Sequence, residues 1–476
     1  MYDPDLHLLV DDEEIDARWH LRRVLARPER RTHDPVIRPD RPWEGRAAGL
    51  WSSVLYDRDD GIYKCWYRSA DDDVEAASDR NVFNYAVSDD GLRWEKPELH
   101  AVEWRGSRRN NIVYWPHDFA DLRAFETHGV IVDDVGAPER RYKLLCFHAF
   151  ESNQGNGIYG LFSPDGIHWT RTSSPIMPRA GDRHSAMKDP VSGRYLAYTR
   201  RPFVTGAVSK PQYPEAEVPN EPLGSRMPYK RLITRASSAD FLSWSDFENV
   251  LRMDEWDTPG TQFYSISPFA YGNRYLAFVD LYDTEVEKIW VTLASSPDGV
   301  RWLRPRREAF LDLGPDGQWD DTWINVTNNP PIRQGRHLRF WYMGRQSAHG
   351  RAHRIAAMGS FLLGVDRFAG LVAGRQTGQL VTEPVDARQP RLFVNARLNQ
   401  PGTIRVGLRS AEAAPIAGRS LEDCDPIRGD EIDHPVSWGG ETGLGRVQGE
   451  RVRLHIEVTY GTLFAFRFGM APRDVS

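Results

Sequence analysis

SDDGLRWEKP from Ser88, SPDGIHWTRT from Ser163, SSADFLSWSD from Ser237 and SPDGVRWLRP from Ser296 are four spellings of one phrase. Their starts lie roughly 60 to 75 residues apart, longer than a helical repeat and right for a four-stranded sheet with variable loops, the unit of a β-propeller. In each copy the Asp caps its own backbone and the Gly tolerates positive φ, so the chain can reverse between two strands. The third copy has Phe241 in place of the Gly, yet keeps Trp244. The Trp of each copy is expected to pack between neighbouring blades, with a sugar-stacking platform as the alternative. Such a repeat specifies a scaffold without naming an activity.

Strand-like runs precede every copy: GLWSSVLYD and GIYKCWYRS, THGVIVDD and RRYKLLCFHAF, HSAMKDPVSGRYLAYTRR, and QFYSISPFAYGNRYLAFVDLYD. Their period-two alternation of β-branched and aromatic residues suits half-buried antiparallel strands. A fifth unit runs from WINVTNNPPI through HLRFWYMG to HRIAAMGSFLLGVDRFAG, without the SxDG spelling. After Gly370 the short alternating runs LFVNARLN, GTIRVGLRS, RVRLHIEVTY and TLFAFRFG read as a β-sandwich. The expected fold is all-β: a five-bladed β-propeller over 46–370 followed by a C-terminal β-sandwich over 371–476, with residues 1–45 a strand and loop segment packing on the propeller. The Pro-rich stretch from Pro202 to Met227 reads as an insertion in the third blade, either a rim of the site or a loop.

A net charge of -6, from 61 basic and 67 acidic residues, leaves no electrostatic footprint for nucleic acid. Sixteen Trp among 476 residues point mildly to carbohydrate, because indole faces match the apolar faces of sugar rings. The start MYDPDLHLLVDDEEID lacks a basic region followed by an apolar run, and no 18 apolar residues run together, so neither export nor membrane insertion is expected. A cytoplasmic location follows; a secreted chain trimmed of its leader would read the same. Cys65, Cys146 and Cys424 are odd in number and lack metal-ligand spacing, which fits a reducing compartment. Metalloprotease, nucleotide-hydrolase, esterase and thiol-redox motifs are all missing. No cofactor is expected to be required, although a structural cation could sit in the funnel. Oligomeric state is not readable.

A propeller lines its funnel with the first strand of each blade. Inward polar positions there are Trp51 and Ser53, Glu126 and His128, Asp182 and His184, Gln262 and Tyr264, and Trp323 and Asn325, with Glu44, Asp257, Asp320 and Asp321 just outside. Glycoside cleavage needs one carboxylate as base or nucleophile and one carboxylic acid to protonate the leaving oxygen. Asp182, between the flexible Gly181 and the cationic Arg183, is the first candidate, followed by Glu126 and by Asp321 in GQWDDTW. His128, His184, Arg200, Tyr264, Trp51, Gln262, Asn325, Arg345 and Glu44 are candidate substrate contacts. The arginines that end second strands could pair with the carboxylates or with a substrate anion.

The five units, the SxDGxxW hairpins, Asp182 opening an inner strand and the trailing sandwich together resemble the five-bladed glycoside hydrolases of families 32, 43 and 68. The tail SLEDCDPIRGDEIDHPVSW looks like the end of a group of bacterial proteins described only as glycosyl hydrolase-like, over nearly the whole chain. The resemblance implies three acidic residues on three blades, and GDR at Gly181 to Arg183 is similar to an Arg-Asp-Pro element with its Arg displaced to follow the Asp. The first unit lacks the Asn-Asp-Pro-Asn-Gly element, and no Glu-Cys or Glu-Gly acid motif is present in its usual form. Glycoside hydrolysis is therefore the expected activity. A non-catalytic carbohydrate-binding or interaction propeller, and a transglycosylase or glycan phosphorylase, are the alternatives.

Overall fold

The repeated phrase folds the same way each time. Ser88 Oγ accepts from the Gly91 N–H at 2.9 Å, and Asp90 Oδ1 accepts from the N–H groups of Leu92 and Arg93 at 2.8 Å. Ser163 with Asp165, Ser238 with Asp240 and Ser296 with Asp298 repeat these bonds. The third copy thus starts at Ser238, one residue later than its spelling suggests. Gly91, Gly166, Phe241 and Gly299 have φ of 72°, 78°, 67° and 72°. That backbone costs a side-chain-bearing residue about 1–2 kcal/mol, so a separate gain must hold Phe241 in place.

The computed structural model describes residues 1–30, 33–71, 81–116, 118–119, 121–178, 180–204, 229–349 and 355–474. Most of the Pro-rich stretch from Pro202 to Met227 therefore lies outside the described residues. The described chain is all-β: its helical content is two single turns, Pro138–Arg140 and Gly445–Val447. Among the described residues no helix is long and apolar enough to cross a membrane.

Leu6–Leu8 (β1), Ile15–Trp19 (β2), Arg22–Leu25 (β3) and Glu29–Arg30 (β4) come first. Antiparallel meanders follow. The first is Ala47–Asp57, Ile62–Ala70, Asn81–Ser88 and Ile112–Tyr114 (β5–β8), and the second is Leu122–Val132, Tyr142–Phe150, Gly157–Ser163, Thr170–Arg171 and Met177–Pro178 (β9–β13). The third is His184–Lys188, Tyr195–Val204, Tyr229–Ser238 and Glu248–Leu251 (β14–β17), and the fourth is Thr261–Tyr271, Arg274–Asp283 and Lys288–Ser296 (β18–β20). The last is Trp323–Val326, Ile332–Gln334, His337–Arg345 and Ala356–Gly364 (β21–β24). First strands adjoin in turn, β5 on β9, β9 on β14 and β14 on β18. Ser267 of β18 then bonds to Val326 O of β21, and β24 meets β5 at Ala356 and Ala47, so the units form a propeller-like ring.

The beginning of the chain closes this ring. β4 pairs with β24, Phe361 opposite Arg30, and the N–H groups of Val36 and Ile37 bond to Met358 O. An outer strand supplied from far away in sequence leaves no need for a fifth SxDG turn, and β24 instead runs on into the C-terminal sheet.

That sheet has nine strands: β1, β2 and β3 join Ala369–Ala373 (β25), Gly378–Thr382 (β26), Val385–Asp386 (β27), Arg391–Ser410 (β28), Asp430–Pro435 (β29) and Arg451–Gly469 (β30). The register of β28 against β30 shifts between Leu398 and Thr403. Val394 and Ala396 before the shift, and Ile404 and Val406 after it, enter one core, so the ribbon folds over its own apolar face into two layers. The opening segment therefore does more than pack on the meanders, because it supplies three strands here. A second core joins Leu6 and Leu8 to Phe269, Phe278 and Phe340 of the last two meanders.

Between meanders, an aromatic residue of one second strand sits on the turn of the next unit. Trp66 Nε1 donates to Gly166 O at 2.6 Å, Tyr198 Oη to Gly299 O at 2.8 Å and Trp341 Nε1 to Gly91 O at 2.7 Å. A Cβ on Gly166 would lie 2.6 Å from the Trp66 ring. Tyr63, Tyr142 and Tyr195 each pair with the Ser of a turn, which aligns Leu145 with Trp66 and Tyr198. There the strand residue is small and the next turn carries the ring, with Leu145 and Phe241 in one apolar cluster. This exchange of volumes across the interface holds Phe241 at its positive φ. Gly166→Ala is expected to destabilise the protein by roughly 1–3 kcal/mol, seen as a lower urea midpoint; an unchanged midpoint would mean that the Trp66 ring yields freely.

Candidate active site

Three first strands carry an irregularity at the same level. The β5/β6 register slips between Leu50 and Ser53, freeing Trp51, whose φ is 50°; the β9/β10 register slips beside His128; the β18/β19 register slips at Tyr264. A bulge re-aims its side chain, and here the side chains meet on the axis. Ring centroids lie 4.6 Å apart for Trp51 and His128, 4.7 Å for His128 and His184, 4.8 Å for Tyr264 and Trp323, and 5.6 Å for Trp51 and Trp323. One ring from each meander thus floors the centre. A tryptophan in the left-handed region is a strained position held by its surroundings.

Charged groups lie on this floor. The Arg183 guanidinium stacks 3.8 Å from the Trp51 centroid, donates to Glu126 Oε2 at 2.7 Å and reaches Tyr264 Oη at 3.5 Å. Arg68 also grips Glu126. Arg200 donates to Asp182 Oδ1 and lies 4.5 Å from the Tyr264 centroid, while Arg231 donates to Gln262 Oε1 at 2.6 Å. Arg183 thus follows one carboxylate in the chain and holds the other, and its charge acts on both. The Asp182 side chain is 36% exposed and that of Glu126 13%, so Asp182 is the more exposed of the two carboxylates.

Burial works to raise the pKa of both acids, but the guanidinium groups win. Arg200, Arg183 and Arg231 hold Asp182 far below the usual carboxylate range, and Arg183 and Arg68 hold Glu126 below it. The histidines are neutral: burial takes His184 down to about 4, and burial with the nearby arginines takes His128 and His349 well below their ordinary value. Burial pushes the Tyr264 phenol up, yet Arg183 and Arg200 bring it below its ordinary value, the mark of a positive potential at that point.

Asp280 lies behind the floor, fully buried, accepting from Ser265 Oγ at 2.5 Å and Asn325 Nδ2 at 2.8 Å. Burial pushes its carboxyl up to about 7, against the pull of these two bonds. Between about pH 4 and pH 7 the folded chain therefore keeps a proton that the unfolded chain releases, and stability present in acid is lost as the pH rises through 7. Asp280→Asn is expected to remove a slope of up to ~1.4 kcal/mol per pH unit over that window. Urea midpoints of both proteins across it would check this, and parallel profiles would exclude the titration.

Not every candidate from the sequence reaches the centre. Trp51, Glu126, His128, Asp182, His184, Arg200, Gln262 and Tyr264 are brought together there. Asn325 stands behind with Asp280. Arg345 stacks 5.2 Å from the Trp323 centroid and bonds to Ser347 Oγ and Ala348 O, steadying the loop that presents His349 Nε2 to Tyr264 Oη at 3.0 Å. Asp321 is not brought in: its oxygens accept from the Gly317 N–H and the Thr322 hydroxyl, each at 2.7 Å, capping its own turn. Asp320 turns instead to Tyr342 Oη at 2.9 Å. Glu44 is fully buried elsewhere, accepting from Tyr67 Oη at 2.6 Å and pairing with Lys96 at 2.8 Å, because the first strand leaves it behind in the entering loop. Arg68, Arg231, His349 and Asp280, outside the sequence candidates, sit near the end of a second strand, near the start of a third, in a loop and within a second strand, respectively. Among the described residues no three His, Cys, Asp or Glu side chains group as a metal site.

No family model and no curated protein matches this chain. Solved structures similar to it include the β-1,2-mannobiose phosphorylase of Listeria innocua, 13% identical over 72% of this chain and 98% of that one, with a TM-score of 0.49. An N-acetylgalactosamine deacetylase from F. plautii is 14% identical over 74% and 97%, with a TM-score of 0.47. A glycosyl hydrolase from Bacteroides ovatus is 12% identical over 76% and 98%, with a TM-score of 0.46. At such identities and scores the chemistry of the centre stands on this chain's own side chains.

Proposed function

We propose that the protein is a carbohydrate-active enzyme that cleaves glycosidic bonds, with Asp182 as the carboxylate that meets the substrate. The observation that carries this reading is the convergence of a partly exposed, ionised Asp182 and a second carboxylate, Glu126, on an aromatic floor. Apolar sugar faces suit such a floor, and an ionised carboxylate can act as base or nucleophile at the anomeric carbon. Glu126, clasped by two arginines, positions Arg183. With both carboxylates ionised, the proton for the leaving oxygen comes from the Tyr264 hydroxyl, whose acidity the arginines raise, or from water.

A screen of aryl glycosides and oligosaccharides, each with and without inorganic phosphate, tests the reading. Released sugar supports hydrolysis and released sugar phosphate supports phosphorolysis. If no glycosidic bond is cleaved while glycans bind, the protein is a carbohydrate-binding propeller.

A further inference from the structure

The arginines of the centre are arranged for more than holding two carboxylates. Arg183 and Arg200 come from neighbouring positions around β14 and β15, where the Arg200 N–H bonds to Arg183 O at 2.9 Å, and both guanidinium groups face Tyr264. Each is at least nine-tenths buried in its side chain, and each spends its hydrogen bonds unevenly. Arg200 binds Asp182 through Nη2 and leaves Nη1 without an acceptor; Arg183 binds Glu126 through Nη1 and leaves Nε without one. A buried guanidinium nitrogen without an acceptor is a standing cost that an incoming anion removes. The ionised Asp182 and Glu126 oppose an incoming anion, but four guanidinium groups, Arg68, Arg183, Arg200 and Arg231, outnumber them, and the neutral His128, His184 and His349 rings add no charge. The eased ionisation of Tyr264 has the same cause, the positive charge of Arg183 and Arg200 beside its ring.

We propose that this centre binds an oxyanion, either the carboxylate of an acidic sugar or inorganic phosphate, against Arg183 and Arg200. The inference rests on the carbohydrate-active reading and narrows it: the glycan carries a carboxylate, or the acceptor of the glycosyl group is itself an oxyanion. Planar guanidinium forks stacked on aromatic faces present their edges to such a group, as bidentate recognition requires.

Isothermal titration of the full chain at low ionic strength with sodium glucuronate, inorganic phosphate and glucose tests it. At least one anion is expected to bind where glucose does not, and Arg200→Gln is expected to weaken that binding about tenfold or more, whereas Arg22→Gln, an exposed change far from the centre, leaves it unaltered. Binding of glucuronate alone identifies an acidic sugar, and binding of phosphate alone identifies a phosphate acceptor. Failure of both anions to bind overturns the proposal, as does anion binding that survives unweakened in a folded Arg200→Gln protein. Should Arg200→Gln not fold, the comparison of anions with glucose on the wild type decides. Because binding is read without turnover, an anion bound with no glycoside cleaved would uphold this inference and defeat the activity, and the reverse pair of results would do the opposite.

Discussion

Trp66→Ala is expected to lower the unfolding free energy by about 3–5 kcal/mol. The ring is completely buried between the first two meanders, 5.3 Å from Tyr85 and 5.7 Å from Tyr142, and its N–H is bonded to Gly166 O. Truncation removes a wholly buried indole and opens a cavity, two effects that act in the same direction, while Gly166 O keeps its bond from Trp169 Nε1 at 2.9 Å. The turn cannot collapse into the space, because its backbone is fixed by Ser163 and Asp165. Trp94, a Trp of the repeated phrase itself, is only partly buried and its N–H has no acceptor, so Trp94→Ala is expected to cost only about 1–2 kcal/mol. Urea denaturation of both variants measures the difference; equal losses would show that the outer Trp contributes as much to holding the ring as the second-strand aromatic.

Asp182→Asn is expected to reduce glycosidic cleavage by roughly 10²–10⁴-fold, the range for losing a positioned base. Asn keeps the shape and can still accept from Arg200, so the fold should persist, while the negative charge that base or nucleophile needs is gone. The loss is expected in kcat more than in KM, because the carboxylate acts as charge develops at the anomeric carbon. Asp321→Asn, by contrast, alters only a turn cap. It is expected to leave activity within about twofold and to cost at most about 1 kcal/mol of stability.

The turn of each unit was legible because its bonds are local: Ser, Asp and the residue after them satisfy one another within six residues. First-strand positions were legible for a related reason, since the turns set the register from which inward positions are counted. What escaped the sequence depends on partners far apart. The outer strand of the last meander comes from Glu29–Arg30, more than 300 residues from its partner, and no local pattern announces that pairing. Phe241 departs from the Gly of the repeat, and only its place in one apolar cluster with Leu145 shows a swap of large and small side chains. Arg68 and Arg231 enter the centre from neighbouring strands of their meanders, where alternation alone does not separate a site arginine from a surface one. The bulges that turn Trp51 and Tyr264 onto the axis leave no spelling at all. Asp320 and Asp321 show the converse limit, for adjacent carboxylates at the entrance to a first strand both found local or lateral partners.

The most direct test of the account is the rate of glycosidic cleavage by wild type, Asp182→Asn and Asp321→Asn, measured side by side on the best substrate from the screen. The account predicts near-complete loss in Asp182→Asn with the circular dichroism spectrum intact, and wild-type rates in Asp321→Asn. Undiminished cleavage by a folded Asp182→Asn protein would contradict it.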